Sequence, residues 1–262
     1  MRIFLAGATG AIGKPLVPAL LAAGHQVIGM TRWPSRAVEL NAAGVESVIC
    51  NVFDTRGLNT VVKEARPELV MNQLSDLPQR MDASRLAEFY ANHNRVRVEG
   101  SHNLLDAAIA AGARSYQLQS VAFFYEPDGE PLKTEDTPLR LDAPQPTGSA
   151  VRALLTTEQA ATSLRGIQTT VLRYGYFYGP GTYYANIEEA ARRVPRGGIY
   201  TFIHVQDAAE ATVAALEVPP GTYNVVDDTW LGGLRAASNA KFKQSAPWTP
   251  RHAGLSNAWP TR

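Results

Sequence analysis

The chain has 262 residues, of which 45% are hydrophobic and 19% charged, with a formal net charge of +1. Such a composition predicts a packed globule with one large domain. It argues against a nucleic-acid-binding protein, because no basic field is available to hold phosphates. The single cysteine, Cys50, excludes an internal disulfide and is typical of a reducing compartment. The apolar run in MRIFLAGATG ends in glycines and predicts a buried strand rather than a signal peptide. No window reaches the roughly 20 apolar residues of a membrane helix, so we expect a cytoplasmic protein without a membrane partner.

Short apolar runs alternate with longer amphipathic segments, as in repeated βα units. In chain order, strands are predicted at RIFLAG, HQVIGMTR, VESVIC, PELVMNQL, RSYQLQS and IQTTVLRY. Helices are predicted at KPLVPALLAAG, PSRAVELNAAG and LNTVVKEA, from Asp82 to Ala111, and over the stretch containing GSAVRALLTTE. The long helix would turn Val96, Leu104, Leu105 and Ala108 toward the sheet.

These elements predict an α/β fold with a doubly wound parallel sheet over residues 1–174, whose ligands bind beyond the carboxyl ends of the strands. Residues 126–147 are expected to form a surface loop. Residues 175–262 are expected to form a small, trimmed substrate lobe, interleaved with the last elements of the first domain. Within that lobe, YTFIHV and TYNVV predict short strands around the helix QDAAEATVAALE, and the tail from Asp228 predicts irregular structure.

The first strand and first helix are joined by AGATGAIG, which spaces three glycines three residues apart. Gly7 permits a tight turn, Gly10 lets backbone approach a pyrophosphate, and Gly13 allows close helix–strand packing. In its strand–turn–helix context this motif predicts a Rossmann-type dinucleotide-binding domain. The alternative is a glycine turn that serves packing only. The expected cofactor contacts in this loop are Gly7, Thr9, Gly10, Ala11, Ile12 and Gly13.

The end of the second strand, MTRWPSR, lacks the acid that would bind the ribose 2′-hydroxyl of NAD. Thr31 and Arg32 stand there instead, with Arg36 nearby. A guanidinium can pair with a 2′-phosphate and stack on adenine, which favours NADP(H) over NAD(H). The alternative is that both arginines are ordinary solvated side chains at a helix start.

Several motifs in order resemble the short-chain dehydrogenase/reductase superfamily, in its extended, epimerase/dehydratase-like branch. NVFD is similar to the adenine-side turn of that branch, and NRVRVEGSHNLLDAA to its long-helix motif. LRYGYFYGPGT is similar to the segment under the nicotinamide, and FIHVQDAAEA to the segment that returns from the substrate lobe. The resemblance covers nearly the whole chain, with Asn51 in place of the usual acid and Asn94 at the helix-kink position. It implies further cofactor contacts at Asn51, Val52, Leu74, Ser75, Asn94, Gln119 and Tyr174.

One feature of the superfamily is missing. Its members carry Tyr-x-x-x-Lys on the helix after the fifth strand, where tyrosinate is the acid/base and lysine lowers its pKa. Alignment by Glu158 puts Ala150 and Leu154 at those positions, and none of the ten tyrosines is followed by lysine four residues later. The chain therefore resembles an atypical subgroup that lacks the pair. A tyrosine without a neighbouring cation keeps a pKa near about 10 and is a poor base, but hydride transfer is still available to a nicotinamide enzyme.

Ser120, Tyr125 and Tyr178 are the predicted catalytic residues. Ser120 ends the fifth strand, where a hydroxyl can hydrogen-bond a substrate carbonyl; the alternative is a serine bonded to backbone. Tyr125 would be an acid and Tyr178 a residue of the substrate pocket. The alternative for both is that the ring only packs within its loop. His204 is a weaker candidate, better explained as a core or hinge histidine. No metal site is expected, because the histidines lack ligand spacing.

The lobe looks trimmed and offers few basic residues to clamp a nucleotide-sugar. We therefore predict an NADP(H)-dependent oxidoreductase that reduces a small or apolar carbonyl, imine or enone, in secondary metabolism. The alternatives are an epimerase or dehydratase, a non-redox cyclase or isomerase, and a non-catalytic NADP-sensing regulator. The expected partners are a small-molecule substrate and, as in many members of the superfamily, a second copy of the chain.

Overall fold

The computed structural model describes residues 1–76, 85–194, 197–228, 234–252 and 254. Seven strands form the central sheet: β1 (Arg2–Ala6), β2 (Gln26–Thr31), β3 (Glu46–Ile49), β4 (Leu69–Asn72), β5 (Ser115–Val121), β7 (Gln168–Tyr174) and β10 (Gly221–Val225). Their spatial order is β10-β7-β5-β4-β1-β2-β3, and every neighbouring pair is parallel. The predicted doubly wound α/β fold is confirmed.

Helices cover both faces of the sheet. They are α1 (Gly13–Ala22), α2 (Pro34–Ala42), α3 (Thr55–Ala65), α4 (Leu86–Arg95), α5 (Ser101–Ala110), α6 (Thr147–Ser163), α7 (Ile187–Arg193), α8 (Val205–Ala214) and α9 (Ala240–Ser245). Alternation along β1 divides the core: Phe4 packs with residues of α3 and α5, whereas Ile3 and Leu5 pack with residues of α1 and α8. Because helices bury both faces of the sheet, its strands appear in the sequence as continuous apolar runs.

The predicted long helix is divided in two. Its expected start at Asp82 lies outside the described residues, and α4 is observed from Leu86. A π-helical turn, Val96–Gly100, separates α4 from α5. Asn94, at the predicted kink position, is still in regular α-helix, and the π-helical turn begins two residues later. Val96, Leu104, Leu105 and Ala108 are buried as predicted.

The remaining strands form two small sheets outside the central one. Strand β8 (Tyr176–Tyr178) pairs in parallel with β9 (Phe202–His204), while β10 returns to the main sheet. Two expectations need correction. The loop 126–147 contains β6 (Leu132–Lys133), which pairs with β11 (Ala236–Ala237) of the tail. The tail also contains α9, whose position is fixed by the buried side chains of Phe242 and Trp248 packed on the core. The sequence does not predict this helix, because so short a segment shows no hydrophobic periodicity. None of the described helices is both long and apolar enough to span a bilayer.

Candidate active site

Except for Asn94 on α4, the predicted cofactor residues lie at or just after the carboxyl ends of β1, β2, β3, β4, β5 and β7. Because the strands are parallel, these ends meet at one edge of the sheet, which is where ligands bind in such folds. The chain order reverses between β1 and β4, and a crevice forms at such a point.

The glycine loop has the geometry of an anion cradle. Gly7 has a φ of 90°, and the amide of Gly10 donates to the carbonyl of Gly7 over 3.0 Å. A Cβ on Gly13 would collide with the carbonyl oxygens of Gly7 and Ala8. The N-terminus of α1 receives no side-chain cap from Ile12 and has no acid in its first turn. The Lys14 amide donates to the Gly10 carbonyl and Pro15 has no N–H, so the positive dipole end and the amides at the start of the helix fit a phosphate.

Two exposed guanidinium groups lie at the end of β2. Thr31 is buried, whereas Arg32 forms a 3.0 Å ion pair with Asp76 and lies 5.4 Å from the Trp33 ring centroid. Arg36 Nη1 donates to Thr9 Oγ1 of the glycine loop over 3.5 Å. An exposed ion pair contributes about 0–1 kcal/mol, so a phosphate can displace Asp76 from Arg32 at little cost.

The crevice contains unsatisfied acceptors. Within the described part of the chain, the buried acceptors without a hydrogen-bond partner include Gln73 Oε1, Asn94 Oδ1 and Gln119 Oε1, and also Gln117 Oε1 on the α8 side of the sheet. Buried acceptors are normally paired, so the first three are compatible with donors from a ligand at this edge. Ribose hydroxyls and a carboxamide NH₂ group are such donors. Together with the phosphate cradle, these residues fit a pyridine dinucleotide.

The other predicted cofactor residues lie along the same edge. Asn51 is exposed and accepts from the Phe53 amide, and Val52 beside it is buried. The Leu74 amide donates to Asn72 Oδ1, and Ser75 is exposed. The Tyr174 hydroxyl lies 2.6 Å from Thr212 Oγ1 and also accepts from Gln73, so it is already bonded.

Ser120 belongs to a buried polar network. It is 0% exposed, and its hydroxyl donates to Glu158 of α6. Arg173 on β7 holds the same carboxylate with two bonds, of 2.9 and 2.6 Å. Arg173 Nη1 also donates to Tyr125 Oη over 3.0 Å, and Tyr125 donates to Asn224 over 2.6 Å. A catalytic role for Ser120 stays a prediction, and its hydroxyl would have to leave Glu158 to reach a substrate.

Neither Tyr125, the predicted acid, nor Tyr178, the predicted pocket residue, has a lowered pKa. Burial raises the pKa of Tyr125 to about 12, although Arg173 opposes this shift. Burial also raises the pKa of Tyr178, and Asp227 and Asp207 add to the effect. The Tyr178 ring meets His204 edge-on at 5.2 Å. Both phenols therefore stay protonated at neutral pH and would be weak acids.

The first turns of α6 present no titratable side chain to the sheet. Ala150 and Leu154 are both buried, and Leu154 packs in the same cluster as Val121 and Tyr125. Arg152, two residues from Ala150, points outward and donates to the Leu141 carbonyl over 3.2 Å. The phenol and ammonium groups of the usual pair therefore have no counterpart at these two positions, and the titratable side chain that α6 turns inward is Glu158, held by Ser120 and Arg173.

An aromatic cluster, which the sequence analysis missed, lies beyond β5 and β7. The Phe123 and Tyr176 rings stack with centroids 3.9 Å apart and planes 8° from parallel. Tyr184 meets Tyr176 edge-on at 6.3 Å. Burial raises the pKa of Tyr176, and the neighbouring Tyr184 and Tyr90 add to the shift. We call Phe123, Tyr176, Tyr184 and Tyr90 the aromatic cluster; the four residues are far apart in sequence, so no local motif marks them.

Comparison with known proteins places this geometry in a family. The model of the NAD dependent epimerase/dehydratase family matches residues 3–225. A protein of Streptomyces sp. named 3-diazoavenalumate denitrifying reductase is 40% identical over 275 residues, covering 100% of this chain and 84% of its own length.

Solved structures agree on the fold. The UDP-glucose 4-epimerase of Thermotoga maritima, with UDP-glucose, has a TM-score of 0.76 at 20% identity over 97% of this chain and 94% of that one. The UDP-glucose 4-epimerase of Thermus thermophilus, with NAD, has a TM-score of 0.74 at 23% identity over 97% and 95%. The chain belongs to the NAD dependent epimerase/dehydratase family and is an NAD(P)-dependent enzyme of the oxidoreductase type.

Proposed function

We propose that the protein is an NADP(H)-dependent reductase that removes nitrogen from an aryl diazonium compound. The observation that carries the proposal is the absence of a phenol–ammonium pair on α6, where Ala150 and Leu154 are buried. Reduction of a carbonyl needs both a hydride and a proton. An enzyme without that pair is better matched to a substrate that accepts a hydride alone.

An aryl diazonium is such a substrate. One C–N bond breaks and its electron pair leaves with N₂, while one C–H bond forms with the pair of the incoming hydride. Atoms and electrons balance in this reaction without a proton from the protein. The relative of 40% identity is named for a denitrifying reduction of a diazo compound, which supports this reaction class for the present chain.

The aryl part of the proposal rests on this chain's own residues. The aromatic cluster offers flat faces beside the ends of β5 and β7, and aromatic pairs favour stacked or edge-on contacts. A planar ring held against Tyr176 would lie next to the edge where the predicted cofactor contacts Gln119 and Tyr174 are found.

The cofactor would be held by the glycine loop, by the orphan acceptors Gln73 and Gln119, and by Arg32 and Arg36 at its phosphorylated ribose. When bound in reduced form, it supplies a hydride. The protein's own residues bind and orient both reactants and exclude water. Preference for NADP(H) rests on the two exposed guanidinium groups at the end of β2 and on the lack of an acid there.

The test uses NADPH deuterated at the transferable position together with a benzenediazonium salt. We expect N₂ release matched to NADPH loss, with deuterium at the ring carbon that carried nitrogen. Gly13→Ala is the control for direct reduction in solution, because its Cβ would collide with the loop carbonyls and prevent cofactor binding. A rate with wild type no greater than with this variant would refute the proposal. Turnover of only carbonyl, imine or enone substrates would refute it as well.

A further inference from the structure

Arg97 lies at the junction of α4 and α6 and was not among the predicted site residues. It belongs to the π-helical turn Val96–Gly100, a rare geometry that is frequent at functional sites. Its carbonyl faces Thr157 Oγ1 of α6 at 3.0 Å. Its side chain turns back toward the start of the helix, and Nε donates to His93 Nε2 over 2.8 Å.

The charge of Arg97 has no counterion among the described residues. The carboxylates around it are engaged elsewhere: Glu158 with Arg173 and Glu99 with Arg95. Burial lowers the pKa of Arg97 to about 10, with Glu158 opposing, so the group is still cationic at neutral pH. His93 does not compensate the charge, because burial and then Arg97 lower the imidazole pKa to about 3 and leave it neutral. Partly buried, unpaired charge is costly, which calls for an anion that none of the described residues supplies.

The position of Arg97 points to the cleft. Tyr90 and His93 of α4 and Arg97 of the π-helical turn recur at helical spacing and lie along one face. Besides burial, the Tyr90 phenol raises the pKa of both Tyr176 and Tyr184, so Tyr90 lies near them. His93 Nδ1 lies 3.3 Å from the Asp76 amide nitrogen, in the loop after β4. Seven residues span about 10 Å of helix, and the arginine side chain covers part of that distance toward Tyr90.

We propose that Arg97 binds a carboxylate of the substrate whose ring occupies the aromatic cluster. The anions of the cofactor have other partners, since the pyrophosphate fits the glycine loop and the 2′-phosphate fits Arg32 and Arg36. An anion beside Arg97 therefore belongs to the substrate. The substrate class is then an aryl compound that carries a carboxylate on a short arm. This inference rests on the proposed function for the aryl ring, but its test needs no turnover.

Binding of cinnamate and of methyl cinnamate to the NADP⁺-loaded protein, measured by calorimetry, tests the assignment. We expect wild type to prefer the carboxylate by roughly 10- to 100-fold, as a charge-assisted hydrogen bond implies. Arg97→Met should abolish the preference, and Arg97→Lys should retain part of it. The matched control is Arg95→Met, which removes an exposed arginine two residues away that is paired with Glu99.

The outcomes separate the explanations. Equal binding of acid and ester by wild type overturns the proposal, as does a preference that survives in Arg97→Met. If that variant does not fold, Arg97→Gln and the wild-type comparison decide. If Arg97→Met lowers the affinity for NADPH as much as it lowers the affinity for cinnamate, Arg97 binds the cofactor and the proposal is overturned. Failure of the diazonium assay leaves these binding results interpretable, so the two proposals fail independently.

Discussion

Replacement of Glu158 by glutamine should strongly destabilise the protein. The Glu158 carboxylate accepts two hydrogen bonds from Arg173, at 2.9 and 2.6 Å, and a third from Ser120. The two charged side chains are only 7% and 9% exposed. Glutamine keeps the shape but removes the charge, so the Arg173 guanidinium stays buried without a counterion. Loss of one member of such a pair costs about 3–5 kcal/mol.

For a domain of this size, each kcal/mol corresponds to roughly 2–4 °C in Tm, so Glu158→Gln should melt about 6–20 °C lower. Urea denaturation followed by circular dichroism gives the free energy of unfolding. The control is Glu99→Gln, which breaks a bidentate pair with Arg95 of similar length, at 2.7 and 3.0 Å, but on the surface. Exposed pairs contribute about 0–1 kcal/mol, so this variant should be nearly neutral.

A double variant separates charge from packing. Glu158→Leu with Arg173→Met removes both charges and should recover much of the stability lost in Glu158→Gln, because no unpaired ion is left. The reasoning fails if Glu158→Gln is no less stable than Glu99→Gln. It also fails if Arg173→Met lowers the free energy of unfolding as much in the Glu158→Leu background as it does in wild type, because the two losses would then be independent.

Further predictions concern the cofactor, pH and the strand-end serine. Arg32→Ala should weaken NADPH binding by roughly 10- to 100-fold in fluorescence titrations and NADH binding much less, since only NADPH carries the 2′-phosphate; equal losses would contradict the NADP preference. The pKa of His93 is about 3 in the folded chain and about 6.5 when unfolded, so the unfolded chain takes up the proton first. The contribution of neutral His93 to the free energy of unfolding is complete above about pH 6.5 and falls by about 2 kcal/mol between about pH 6.5 and 5. The loss of stability over this range should therefore be smaller in His93→Gln than in wild type. Identical pH profiles of the two proteins would refute this. Ser120→Ala should lose about 1 kcal/mol of stability, measured in urea, through its bond to Glu158. A large fall in kcat with unchanged stability would instead support the catalytic role.

Several of these features could be predicted from local pattern, and others could not. Ser120 was correctly placed at the end of β5, but periodicity alone does not tell which face of a strand an individual polar side chain meets. In the structure Tyr116 and Ser120 face α5 and α6, whereas Gln117 between them donates to the Thr212 carbonyl of α8. Likewise Phe123 and Tyr176 are unremarkable loop and strand residues until β5 and β7 bring their rings together.

The sequence by itself determined the alternation of strands and helices, the glycine cradle and the edge of the sheet where a dinucleotide fits. These follow from local rules: strand and helix periods, and glycine conformation between adjacent elements. Only the tertiary structure decided which charges on α4 and α6 are paired and which is left over. Thr157 and Arg97, which are in contact, are 60 residues apart in sequence. Glu158 forms its ion pair with Arg173 on β7 and not with Arg97. Such choices depend on distances of a few ångströms and on burial, which exist only after the chain has packed.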